Sequence, residues 1–139
     1  MPLTPKTDIV AGGPLLVRQG QPYVDVRAEG DVYDADPSFL YGYGIARNPR
    51  TLVGIDAKGR LLLVTVDGRQ PGYSAGLGFT ESAQLMRALG AVEALNLDGG
   101  GSTTMAIRGL LANSPSDATG ERPVGDAIEV LPASRGSGQ

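Results

Sequence analysis

The chain contains no cysteine, no histidine and no tryptophan. Without histidine and cysteine there can be no Ser-His-Asp or Cys-His catalysis, and no zinc site built on those ligands. Any metal would have to be a hard cation held by oxygen ligands, and no cofactor is required on these grounds. Disulfides are excluded, so cysteine usage carries no information about redox compartment. Basic residues are not in excess: 12 Lys and Arg face 15 Asp and Glu, for a formal charge of −3. That balance argues against a nucleic-acid partner and against an anionic membrane surface. No run approaches the roughly 20 apolar residues of a membrane span. The start, Met1-Pro2-Leu3-Thr4-Pro5, has no signal-peptide core. As written the chain reads as a cytoplasmic product, or as a piece of a longer exported protein.

What is present suits one compact domain of 139 residues, 41% hydrophobic and 19% charged. With 21 Gly and 10 Pro, short elements joined by tight turns are expected. The expected domain runs over residues 1–132, with 133–139 as a flexible tail. Ile9 to Val17 reads as a strand interrupted at Gly12-Gly13-Pro14, and Arg18-Gln19-Gly20-Gln21 as a hairpin tip. Ala28 to Tyr41 reads as a loop or short helix. Thr51–Asp56 and Arg60–Val66 are rich in β-branched and aliphatic residues, with Ala57-Lys58-Gly59 between them as a hairpin loop. Leu61-Leu62-Leu63-Val64 suggests burial on both faces. Ala83, Met86 and Leu89, joined by Leu85, form an apolar stripe at helical spacing. This predicts one principal helix at about 80–89, with Thr80 as N-cap and Gly90 as stop. Glu93–Leu97, Thr103–Ile107 and Asp126–Leu131 are the remaining expected strands. The fold class is therefore α+β: a mixed, mainly antiparallel sheet with that helix on one face.

The sharpest chemical feature is Asn96-Leu97-Asp98-Gly99-Gly100-Gly101-Ser102-Thr103-Thr104. It puts a carboxylate and a side-chain amide at a strand end. Three glycines follow, whose N–H groups can curl around an anion or a sugar oxygen. The structural alternative is a Gly-rich turn with Asp98 bonding its own loop. It is not a P-loop, because no Lys-Ser/Thr follows and a strand comes next. Arg47-Asn48-Pro49-Arg50-Thr51 offers two guanidiniums close together before a strand, suited to phosphate, or else to ordinary surface ion pairs. Asp67-Gly68-Arg69 ends the most apolar strand and leads to Tyr73-Ser74. Asp67 is a candidate for acid–base work, or a cap of its own turn. Asn113-Ser114-Pro115-Ser116-Asp117 and Glu121-Arg122-Pro123 are weaker features that could close over a site.

In this order the stretches resemble the phosphodiester glycosidase family. The matching residues are Asn48-Pro49-Arg50-Thr51, Val66-Asp67-Gly68-Arg69, Asn96 through Met105, and more loosely Asn113–Asp117 with Arg122-Pro123-Val124. The resemblance covers about Ile9 to Leu131. It implies a hydrolase that releases a sugar from a sugar 1-phosphodiester. Arg50, with Arg47 or Arg69, would hold the phosphate. Asp98 would be the principal carboxylate and Asp67 the second. Gly99, Gly100, Gly101 and Ser102 would offer N–H and hydroxyl groups. Asn48, Thr51, Ser74, Asn96, Thr103 and Arg122 complete the expected substrate-binding set. Family domains also carry an N-terminal portion ending in an Asn-Gly-Gly-aromatic motif, which Gly12-Gly13-Pro14 does not match. The chain thus corresponds to the C-terminal portion, and an open sheet edge would favour a homodimer. The other readings are a non-catalytic binder of phosphosugars or cell-wall glycans, and an inactive structural remnant.

Overall fold

The computed structural model describes residues 9–30 and 36–132; the expected tail and part of the 28–41 segment lie outside them. The fold is α+β, and every described strand pairing is antiparallel. The main sheet holds β1 (Leu15–Arg18), β2 (Gln21–Pro22), β3 (Arg50–Asp56), β4 (Leu61–Val66) and β5 (Ala91–Asn96), in the order β2-β1-β5-β3-β4. A helical turn, α1 (Pro37–Leu40), runs into a π-helical turn over Tyr41–Ile45, and α2 (Phe79–Ala88) is the principal helix. β6 (Ala106–Ile107) and β7 (Leu110–Leu111) form a separate two-stranded ribbon.

Local chemistry explains the connections. Gln19 and Gly20 both take positive φ, and Arg18 pairs with Gln21, as in the two-residue hairpins whose twist matches their strands. The β3–β4 loop is tied by Asp56. Its Oδ1 accepts from the Lys58 and Arg60 N–H groups at 2.8 and 2.9 Å, and its Oδ2 from Arg60 Nε at 2.6 Å. The Arg60 donors, backbone first, hold this carboxyl below the usual range.

Period 2 along β3 sends Arg50, Leu52, Gly54 and Asp56 to one face. α2 covers that face with Phe79, Ser82, Ala83 and Met86 at i, i+3, i+4 and i+7. Leu16, Val17, Ala91 and Ala94 complete the core. Gly54 makes the close approach possible, since a Cβ there would run into the Met86 methyl and the Glu93 carbonyl.

Four expectations are corrected. α2 starts at Phe79 with Gly78, not Thr80, as N-cap, because the Phe79 ring is drawn into the core and Glu81 accepts the Gly78 N–H at 3.0 Å. Leu61 is exposed and Leu62–Val66 are half-buried, because β4 is an edge strand and is not covered on both faces. The Thr103–Ile107 strand shrinks to Ala106–Ile107, since 100–102 close into a 3₁₀ turn. Asp126–Leu131 joins no described strand; Ile128, Val130 and Leu131 are all exposed, so no burial holds them to a sheet edge.

No helix among the described residues is long and apolar enough to cross a membrane. Met86, fully buried between helix and sheet, should be a principal anchor. Met86→Ala is expected to cost about 2–5 kcal/mol in urea unfolding. A loss below about 1 kcal/mol would mean that α2 is not held through this contact.

Candidate active site

The core face of the sheet turns polar at one end, where Arg50 opens β3 and Asn96 closes β5. Both are almost fully buried, at 1% exposure each. The guanidinium of Arg50 lies 4.3 Å from the Phe79 ring centroid and 5.7 Å from that of Tyr43. Its Nε donates to the Leu77 carbonyl at 2.8 Å, and its Nη2 to the carbonyls of Tyr43 at 2.6 Å and Ala46 at 3.3 Å. Nη1 has no hydrogen-bond partner among the described residues, and no carboxylate pairs with this cation there. Burial lowers the pKa of Arg50 to about 10, and the charge of Arg69 pushes the same way. A buried, uncompensated cation of this kind costs several kcal/mol until an anion meets it.

Arg50 lies at the wall of an open cleft of about 370 Å³. Asn48, Arg69, Asp98, Gly99, Gly100 and Gly101 line it. Arg122 forms part of the rim, and Phe39, Gly42 and Tyr43 supply an aromatic wall. The Phe39 and Tyr43 rings stack at 5.3 Å, and Tyr43 meets Phe79 edge-on at 5.0 Å. Asp98 is exposed, and its carboxylate accepts no hydrogen bond from the described residues. Asp98 is the one carboxylate among the residues lining the cleft.

The glycine turn is held by backbone contacts. Gly100, at φ 60°, donates its N–H to the Pro49 carbonyl at 3.0 Å. A Cβ on Gly101 would strike both Asp117 and Arg122. These two form an ion pair, Arg122 Nη2 to Asp117 Oδ2 at 2.8 Å, which sits directly over the turn. Glycine at 101 therefore lets the 112–122 loop seat on the site.

The structure places the remaining expected residues elsewhere. Arg47 turns toward α2 and pairs with Glu81 across 2.5 Å, so its charge is spent on the first turn of that helix. The hydrogen-bonded Glu81 raises the Arg47 pKa, and Arg47 holds the Glu81 carboxyl below its usual range. Asp67 does not line the cleft. Its Oδ1 accepts from Asn113 Nδ2 at 3.0 Å and the Ser114 N–H at 2.9 Å, and its Oδ2 from the Tyr73 hydroxyl at 3.1 Å. It clasps the 113–114 segment to the β4 end. Ser74 donates its hydroxyl to the Asp67 carbonyl. Thr51 and Thr103 share a long 3.4 Å hydroxyl contact behind the turn, and Ser102 lies within the turn. Asn96 is structural in its visible contacts, donating to the carbonyls of Gly13 and Leu97 at 2.8 Å each. The aromatic wall was missed by sequence reasoning; the signal was Phe39 with the alternation Tyr41-Gly42-Tyr43-Gly44. No cluster of three acidic residues suited to a metal ion occurs among the described residues.

The sequence pattern of phosphodiester glycosidases matches residues 3–131. The chain belongs to the phosphodiester glycosidase family. It is 34% identical over 120 residues to N-acetylglucosamine-1-phosphodiester alpha-N-acetylglucosaminidase of Mus musculus, a match covering 84% of this chain and 22% of that protein. A Burkholderia pseudomallei protein of known structure shares 42% identity at a TM-score of 0.70, over 81% of this chain and 23% of its own. The catalytic domain of the zebrafish N-acetylglucosamine-1-phosphodiester alpha-N-acetylglucosaminidase, auto-inhibited by its pro-peptide, shares 30% at a TM-score of 0.66, over 78% of this chain and 35% of its own. The chain thus spans about a fifth of the length of the curated relatives it matches.

Gly101→Ala should dislodge the Asp117–Arg122 pair. Limited proteolysis within 112–122 is expected to speed up severalfold while the global unfolding midpoint hardly moves. Unchanged cleavage would show that the loop does not depend on a side-chain-free position 101.

Proposed function

We propose that the cleft hydrolyses a sugar 1-phosphodiester, releasing the sugar and a phosphomonoester. The observation that carries this reading is Arg50. It is a buried guanidinium with carbonyl oxygens for neighbours, no carboxylate partner among the described residues and one free Nη group at the cleft. Arg69 lies close enough to depress its pKa. Two neighbouring cations at one cleft form a natural receptor for a phosphate, and guanidiniums bind its oxygens in pairs.

The reaction breaks the bond from the anomeric carbon to the phosphate oxygen. The electron pair leaves with the phosphate, and water supplies the hydroxyl of the released sugar. Most glycosidases place two carboxylates about the scissile bond, one to protonate the leaving group. A phosphomonoester held by Arg50 and Arg69 departs as an anion and needs no such proton. One carboxylate then suffices, and Asp98 is the residue for it. It acts toward the positive charge that develops at the anomeric carbon, either as nucleophile or as base for the attacking water. The Phe39–Tyr43 wall offers an apolar face for the sugar ring. Relatives of the family named for N-acetylglucosamine-1-phosphodiester cleavage support this substrate class.

The test is a hydrolysis assay on a panel of sugar 1-phosphodiesters. Asp98→Asn should fold normally and lose about 10²–10⁴-fold in kcat. Full turnover in a folded Asp98→Asn protein would contradict the assignment. Tight phosphosugar binding by the unaltered chain, without turnover, would replace it with the binder reading. The anomer released first distinguishes the two roles of Asp98: retention marks a nucleophile, inversion a base.

A further inference from the structure

Asn48 is buried, at 8% exposure, between the turn at 42–46 and the side chain of Arg69. Its Nδ2 donates to two carbonyls, Gly42 at 2.8 Å and Ala46 at 3.1 Å. Those two acceptors settle the orientation of the amide, since a flipped group would set its oxygen against both carbonyls. Oδ1 is thereby forced toward Arg69, where it accepts from Nε at 3.1 Å and Nη2 at 2.9 Å. The guanidinium is gripped along one edge. Its Nη1 has no hydrogen-bond partner among the described residues and lies against Gly100, where a Cβ would stand 3.1 Å from it. The backbone contributes as well: Arg69 is a non-glycine residue at φ 57°, and Gly76 fits tightly against the Asn48 backbone, where a Cβ would collide.

We infer that Asn48 is the positioning residue of the phosphate site: a neutral clamp that fixes Arg69 so that its free edge faces the cleft beside Arg50. This rests on the reading of the cleft as a phosphate site. Neutrality is the point of the residue type. An aspartate would grip the same edge but would form an ion pair with the cation and would lack the two Nδ2 donors. An amide orients the guanidinium and leaves its charge available, so Asn48 acts through Arg69 and need not touch the substrate.

The experiment is a double-mutant cycle, with inorganic phosphate as the ligand, titrated calorimetrically into the full chain. Arg69→Ala should weaken phosphate binding about tenfold, and Asn48→Ala by a similar factor. The double variant should be no weaker than Arg69→Ala alone, because both remove one device. Arg69→Lys, on an exposed side chain, guards against misfolding of the Asn48 variant. It keeps the charge but loses the two-point grip, and should behave like Arg69→Ala. Additive losses, unchanged affinity in a folded Asn48→Ala protein, or wild-type affinity in Arg69→Lys would overturn the clamp. Unchanged affinity in Arg69→Ala would overturn the phosphate reading beneath it.

Discussion

A guanidinium taken out of water without a carboxylate to meet it is the constraint around which this molecule is arranged. Arg50 stands at the first position of β3 on the face that farther along holds Leu52 and Gly54, and it is as buried as they are. Its surroundings provide what a cation needs short of a counter-ion: three carbonyl oxygens and two aromatic faces. The carbonyls of Tyr43 and Ala46 are brought in by the π-helical turn and its exit, and that of Leu77 by the approach to α2. The Leu77 carbonyl also accepts the Asn48 N–H at 3.2 Å in a lone antiparallel bridge, so it serves backbone and guanidinium together.

The same economy extends across the cleft. Arg69 is held by an amide, and the glycine turn by the Pro49 carbonyl, so neither contact consumes a charge. Carboxylates that could have quenched the two arginines are occupied away from them. Glu81 takes Arg47, Asp56 takes Arg60, and Asp117 takes Arg122. Asp67 is saturated by Asn113, Ser114 and Tyr73. Asp98 is left as the cleft's own carboxylate, exposed at the end of β5. Positive charge for an anion and one free carboxylate beside it are the minimum that phosphodiester cleavage at an anomeric carbon asks of a protein.

Much of this was legible in the residues, and the limits have physical causes. β3, β4, β5 and α2 were readable because their apolar periods of two and of 3.6 residues are strong. The α+β class with a mainly antiparallel sheet followed from them. The ends were less so: Phe79 lay just outside the expected helix until the core claimed it, and Asp126–Leu131 had strand composition without burial to hold it. The glycine string, Asn48, Arg50, Arg69, Asp98 and Arg122 fall around one cleft. Arg47 and Asp67 diverge from it because side-chain pairing is decided by three-dimensional neighbours, here Glu81 and Asn113, that lie 34 and 46 residues away. The aromatic wall escaped notice because Phe39 and Tyr43 carry no charge and sit in a segment with no regular period.

The central claim is that the uncompensated arginine pair is a phosphate receptor set beside Asp98. It is met most directly by a crystal structure of the Asp98→Asn protein with an intact sugar 1-phosphodiester bound. Phosphate oxygens are expected within hydrogen-bond distance of Arg50 Nη1 and of Arg69, with the anomeric carbon next to position 98. A ligand bound elsewhere, or bound in the cleft with its phosphate turned to solvent and both guanidiniums untouched, would contradict it.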